Sequence, residues 1–275
     1  MFLLVFPLVL VAAVFCGPDG PRPAAAAELS EQQSTRLLLA YPEALERIDG
    51  GDLVWRDGTR MPLDDGKGEK PFEEWLTHPD IADMLAVPYP AGSEATAPAV
   101  NIDPGRARNT AFFDKVYGNC RAGEVERNLE TVAWLPKRTK QRLPFNKTNG
   151  AARALAAVSA ELDALPESFD AFLFPSAGTY NCRVIAGTDR VSAHGHGIAI
   201  DIALKRAHYW RNAAPGKDGA IAYKNEIPMD IVRIFEKHGF IWGGRWYHYD
   251  TMHFEYRPEM IAIGRAAGAD ACAQP

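Results

Sequence analysis

Cysteine is scarce, with 4 in 275 residues and no C-x-x-C pair. That excludes a disulfide-scaffold miniprotein and thiolate-rich metal clusters. No apolar run reaches the roughly 20 residues needed to span a bilayer. Positive charge is not in excess: 30 Lys plus Arg stand against 35 Asp plus Glu, for a net charge of −5. This argues against a nucleic-acid partner and offers nothing to an anionic membrane. No segment repeats at a fixed period. Two catalytic signatures are also missing. No serine has lysine three residues on, and Lys147-Thr148-Asn149 lacks the glycine of K-T-G; both absences exclude a penicillin-binding-type serine peptidase. There is no H-E-x-x-H, which excludes a helical two-histidine metal site. The composition that is present, 47% hydrophobic and 24% charged, is that of an ordinary globular chain of one or two domains.

Met1 to Cys16 is uncharged and rich in Leu, Val and Phe; Gly17-Pro18 breaks the run, and Ala24 to Ala27 offers a small-residue cleavage site. Residues 1–27 read as a secretory signal peptide, with a retained anchor as the alternative. No Lys or Arg precedes the run, and bulky Phe15 argues against lipid attachment at Cys16. Export into the periplasm is therefore expected, with no stable membrane partner after cleavage. An oxidising compartment permits one disulfide among Cys120, Cys182 and Cys272; Cys120–Cys182 is the expected pair, though spacing does not settle it.

Residues 28–108 read as an N-terminal extension of short polar helices and loops. Asp49-Gly50-Gly51-Asp52 and Asp64-Asp65-Gly66 mark turns. Pro71 to Leu85 is helical with a break at Pro79, and the Pro-, Ala- and Gly-rich stretch from Val87 to Arg108 is a long loop that wraps or links. A second unit, 109–262, precedes a tail of 263–275. Within it, Leu155, Val158, Leu162 and Leu165 have helical spacing, with Asn149 as N-cap and Pro166 as stop. Ala171 to Phe174 reads as a short strand. Gly197 to Leu204 alternates, Ile198, Ile200 and Ile202 against Ala199, Asp201 and Ala203, which is a strand. Pro228 to Lys237 is a helix stopped by Gly239, and Phe240–Trp242 and His253–Tyr256 are further strands. Helices and short strands without alternating βα units give an α+β fold.

Six of the seven histidines fall between 194 and 253, and imidazole is the commonest transition-metal ligand. In Ser192-Ala193-His194-Gly195-His196-Gly197-Ile198-Ala199-Ile200-Asp201, the Asp201 carboxylate lies on a strand face whose other members are small. A charge there needs a partner, and small neighbours leave room for an ion. His194, in the turn before, can fold back over it; a simple salt bridge is the plainer alternative. In Asp250-Thr251-Met252-His253-Phe254-Glu255, His253 shares a strand face with Glu255 and is a candidate third ligand. Three protein ligands and an open position make a catalytic zinc arrangement, in which the ion acidifies its water. Asp250, in the preceding turn, is the candidate base that takes the proton as water attacks an amide carbonyl.

The pattern Ser192, His194, Gly197, Ala199, Asp201, followed by Asp250 and His253, resembles the zinc D-alanyl-D-alanine carboxypeptidase family. That family includes vancomycin-resistance D,D-peptidases and phage L-alanyl-D-glutamate endolysins, and it shares a fold with the hedgehog signalling domain. The resemblance covers roughly residues 110–260. It implies zinc on His194, Asp201 and His253, Asp250 as base, a small antiparallel sheet carrying the metal between helices, and peptidoglycan stem peptides as substrate. Many members carry Glu where Asp250 stands; Asp, and the Trp242-Gly243-Gly244-Arg245-Trp246 run, resemble the endolysin-like branch. Similar enzymes place an arginine upstream of the first ligand, so Arg183 is a candidate to grip a carboxylate or stabilise an oxyanion, against a surface ion pair. Ser192 and His248 are candidate substrate contacts, each with a bland turn or surface role as alternative. His196 has similar alternatives. His208 and His238 read as surface or helix-end residues, and Trp242, Trp246 and Tyr247 as core before groove.

D-alanyl-D-alanine carboxypeptidase action is the first expectation, since Arg183 suits a terminal carboxylate. Endopeptidase action on the same polymer is the second, and a non-catalytic zinc-containing wall-binding module the third. A cysteine peptidase has only Cys182, twelve residues before His194, in its favour.

Overall fold

The computed structural model describes residues 29–185, 188, 190–214, 216 and 220–273; the expected leader, 1–27, lies outside them. Among the described residues no helix is long and apolar enough to cross a membrane.

The chain opens with α1 (Glu31–Ala40), started by a capping box in which Ser30 and Gln33 exchange side-chain and backbone bonds. A three-stranded antiparallel meander follows: β1 (Leu45–Asp49), β2 (Asp52–Trp55) and β3 (Arg60–Pro62). The expected Gly50-Gly51 turn is its first hairpin. The strands themselves replace the polar helices expected there; four and five residues with irregular alternation carry too weak a period to be read. α2 (Phe72–Thr77) and α3 (Ile81–Leu85) are the expected pair of short helices on either side of Pro79, the second capped by Asp80. Residues 87–108 are the expected long loop.

α4 (Thr110–Tyr117) is capped by Asn109 and buries Phe112, Phe113, Val116 and Tyr117. The hairpin β4 (Leu129–Ala133) and β5 (Arg142–Asn146) carries α5 (Ala151–Leu162) on one side. The N-cap of α5 is Gly150, not Asn149. Asn149 takes left-handed backbone instead (φ 52) and its amide donates to Ala40 O at 2.9 Å. Residues 171–174 are not a strand: Asp170–Leu173 is one turn of helix, α6, because a four-residue apolar run has no period of its own and packing decides it.

The sheet that matters for function has three antiparallel strands in the order β6 (Ala199–Asp201), β8 (His253–Tyr256), β7 (Phe240–Trp242). The regular part of β6 is shorter than the alternating run, though Ile202 still bonds Met252 O. α7 (Met229–Lys237) packs beneath, Phe235 stacking on Phe254 with ring centres 3.8 Å apart. The expected tail is the end of α8 (Pro258–Ala273), which packs against α1. A Cβ at Gly264 would stand 1.8 Å from Tyr89 O, so α8 and the long loop approach to backbone contact. One apolar cluster runs from Leu37 to Ile263; the packing shows no break at position 108 or 262.

Candidate metal and active site

Register builds the centre. Asp201 on β6 stands opposite His253 on β8, and both side chains leave the same face of the sheet. The one-turn helix Ala193–His196, capped by Ser192 Oγ on the His194 amide at 3.3 Å, brings His194 over them. His194 Nε2 is 3.2 Å from Asp201 Oδ1 and 3.2 Å from His253 Nδ1, and His253 Nδ1 is 3.1 Å from Asp201 Oδ1. That triangle matches the ~3.3 Å edge of a tetrahedron whose corners lie about 2.0–2.1 Å from a central ion.

The other ring nitrogens show what the triangle is for. His194 Nδ1 donates to Thr179 O, and His253 Nε2 donates to the carboxylate of Glu255 at 3.2 Å. Both bonds place a proton on the outer nitrogen and turn the other nitrogen inward, beside a carboxylate oxygen, where a metal can replace any proton it carries. Two imidazole nitrogens and a carboxylate this close need a positive charge among them, supplied by a proton on His253 or by a metal ion. The donor set, two imidazoles and one carboxylate, is one that zinc takes.

Charge balance agrees. Burial works against the Asp201 anion, but hydrogen bonds from His194 and His253 hold its carboxyl well below the ordinary range. Burial works against the His253 cation, yet Asp201 and Glu255 raise it to about 10 without a metal. Glu255, fully buried, is also kept ionised against burial, by Arg108 at 3.1 Å and by Arg257 at 3.1 Å. Arg257 continues to Glu259, which accepts from Tyr41 Oη at 2.7 Å.

Asp250 lies beside this centre in the turn before β8. Burial pushes its carboxyl up to about 6, and its Oδ1 is buried with no hydrogen-bond partner. An orphaned carboxylate oxygen at the edge of a cleft is a proton acceptor in waiting. The turn is set by Gly243, whose carbonyl accepts the Asp250 amide at 3.0 Å; a Cβ there would meet Asp250 O at 2.6 Å.

A cleft of about 100 Å³ opens over these residues, lined by His194, Asp201, His253 and Asp250 together with Ser192, Arg183, His248, Arg106, Arg108, Ile185, Tyr209, Trp210 and Trp246. Every candidate site residue read from the sequence reaches it. Arg183 is exposed at its mouth. The sequence reading missed Arg106, Arg108 and Asp103. Asp103 sits behind His248, accepting from its Nδ1 at 2.7 Å and its amide at 3.0 Å. All three missed residues lie on the 87–108 loop, and no local periodicity marks them.

Other candidates fall elsewhere. His196 is buried against Phe113 and bonded to Asp114 at 2.9 Å; His208 pairs with Glu226, and His238 with Glu161. Trp242 is core, while Tyr247 Oη accepts from the Ile221 amide. Cys120 and Cys182 form a disulfide, as expected, which leaves Cys182 without a thiolate. A second acidic group, Asp64, Asp65 and Asp80, already has a counter-ion in Lys70, which pairs with Asp65, Asp80 and Asp83.

Residues 186–256 match the D-alanyl-D-alanine carboxypeptidase family of zinc peptidases. The matched stretch holds His194, Asp201, Asp250 and His253 together, so the resemblance seen in the motif extends over the whole sheet that carries them. It supports a peptidase. No curated protein and no solved structure matched the chain.

Proposed function

With a D-alanyl-D-alanine carboxypeptidase-type segment at 186–256 as the premise, we propose that this protein is an exported zinc metallopeptidase that hydrolyses peptidoglycan stem peptides, acting first as a D-alanyl-D-alanine carboxypeptidase with a hedgehog/DD-peptidase-like sheet. The observation that carries the reading is the inward-facing triangle of His194, Asp201 and His253, with the unpartnered Asp250 oxygen at its side. When bound, zinc supplies Lewis acidity toward a carbonyl and makes water nucleophilic near neutral pH. His194, Asp201 and His253 hold it. Asp250 accepts the proton of the attacking water at its carboxylate, which a buried group raised toward neutrality does well. Arg183 at the mouth offers a planar fork to a terminal carboxylate, and Ser192 and His248 line the path of the peptide. Export is supported by the apolar leader-like start and by a disulfide that persists only under oxidising conditions.

Mass spectrometry of muropeptides digested with purified, zinc-analysed protein tests the reading. Loss of a single alanine is the expected product. Separation of cross-linked dimers would move the assignment to an endopeptidase. Asp250→Ala is expected to keep zinc and lose cleavage. Wild-type protein that holds zinc and cleaves nothing would leave only a binding module.

A further inference from the structure

Folded proteins leave few buried polar atoms unpaired, and one left unpaired at a cleft wall asks for a partner that arrives from outside. Two such side-chain atoms occur in the lining of the cleft, among the described residues: Asp250 Oδ1, an acceptor, and Trp210 Nε1, a donor. The proposed reaction uses the first. It leaves the second without a role.

Trp210 is half-buried and opens a one-turn helix, Trp210–Asn212, in the segment between β6 and α7. Its backbone is tied to the turn that carries Asp250. The Trp210 amide donates to Tyr249 O at 2.9 Å, and Tyr209 forms a β-bridge with Asp250. The indole is held too. The His248 ring meets it edge-on with centres 4.7 Å apart, and the guanidinium carbons of Arg106 and Arg211 lie 5.9 and 5.3 Å from its centre, cations that an indole face attracts. None of these neighbours serves the N–H. Indole nitrogen only donates, and a guanidinium has no acceptor to offer. The hydrogen needs an oxygen, and leaving it without one is costly.

The other groups of the cleft narrow which oxygen that is. Arg183 stands on a different element, a strap whose Arg183 carbonyl accepts from the Ser192 amide at 3.1 Å and whose Val184 bridges Val191. With a terminal carboxylate at Arg183 and the scissile carbonyl at the cation position, the acyl side of the peptide is left for the Trp210 wall. Arg106, on that wall, is already balanced by Asp103 at 2.8 Å, so the wall suits a neutral acceptor better than a second carboxylate. A neutral acceptor is what each amide of a peptide chain presents. We propose that Trp210 is a substrate-binding residue whose Nε1–H donates to the amide carbonyl preceding the scissile one in the chain; this rests on the peptidase reading above. The contact makes the substrate class an acylated peptide rather than a free dipeptide, which has no carbonyl at that place.

The test compares two substrates: a peptide with one acylated residue before D-alanyl-D-alanine, and its isostere in which the amide joining that residue to the first alanine is replaced by CH2–CH2. Steady-state kinetics are measured on both with wild type and with Trp210→Phe, which keeps an aromatic ring and lacks the N–H; zinc content and thermal unfolding are recorded. Wild type is expected to favour the peptide in kcat/KM by about 10-fold, the scale of one hydrogen bond. Trp210→Phe is expected to abolish that preference, through a higher KM for the peptide with kcat held, and to leave zinc content and kcat/KM on the isostere unchanged. A preference that survives in Trp210→Phe, or an equal fall on both substrates, overturns the inference. If Trp210→Phe fails to fold, wild type decides it: cleavage of both substrates without preference overturns the assignment of Trp210 and leaves the peptidase reading standing. Wild-type protein that cleaves neither substrate overturns the peptidase reading, and this inference with it.

Discussion

His253 lies between two carboxylates, Asp201 at 3.1 Å and Glu255 at 3.2 Å, and its charge depends on what else shares that space. With a folded value of about 10, the metal-free ring is protonated at neutral pH. A metal must displace that proton, so loading is coupled to proton release. Calorimetric titration of apo protein with zinc at pH 7, in two buffers of different ionisation enthalpy, should show about one proton released from this residue, and apparent affinity should rise with pH. A heat independent of buffer would remove His253 from the ligand set. Asp250 has the opposite relation to stability. Its folded value, about 6, exceeds the ~3.9 of a free aspartate. The group therefore favours the fold below the unfolded value, and that contribution is lost as pH rises through 6. Asp250→Asn removes a buried charge above pH 6. Metal-free protein carrying it should be more stable at pH 7.5, by on the order of 2 kcal/mol, with little change at pH 4.5, and catalysis should be lost. Equal melting temperatures at pH 7.5 would mean that Asp250 is better solvated than its burial indicates.

Among the elements, the turn between β7 and β8 joins core to chemistry. Trp242 is buried with Gly244 against its ring, Gly243 lies against the ring of Trp246, and Trp246 reaches the cleft. Gly243→Ala pushes a methyl carbon to 2.6 Å from Asp250 O, so the turn must shift. The candidate ligands His194, Asp201 and His253 sit on β6, β8 and the turn at 193–196, outside that shift. The variant should keep its zinc while kcat falls by about 10²-fold, the usual cost of about 1 Å of misplacement. Joint loss of zinc and activity would show instead that the whole sheet moved. The strands that carry Asp201 and His253 are short, three and four residues, and α7 supplies the packing that holds them through Phe235.

At the scale of the molecule, residues 29–108 belong to the site. Arg108, buried, reaches Glu255 at 3.1 Å, and Glu255 orients His253. Tyr41 closes the far end of the same network on Glu259. Arg108→Ala strands a buried carboxylate; a loss of about 3–5 kcal/mol in urea unfolding is expected, together with zinc affinity weaker by about 10–100-fold, the usual effect of removing a group that orients a ligand. A stable protein with unchanged zinc affinity would mean that the loop only covers the site.

Much of the centre is legible in the chain because it is local or periodic. His194 to Asp201 is one continuous motif, and strict alternation by itself puts His253 and Glu255 on one face of a strand. The helices α5 and α7 announce themselves by spacing, and the edges of β7 and β8 by their flanking turns. Short elements are not legible: the 45–62 meander and the helical turn at 170–173 have too few residues for a period to outweigh packing. Nor are Asp103, Arg106 and Arg108. They stand in a Pro- and Gly-rich loop whose sequence says only that it is not regular, and their partners His248 and Glu255 lie about 145 residues away. The linear chain marks which residues are candidates to bind a metal, because ligand type and strand alternation are local properties. Which buried acids and bases orient those ligands is decided only when distant segments pack together, because the desolvation that makes such pairs matter exists only in the folded interior.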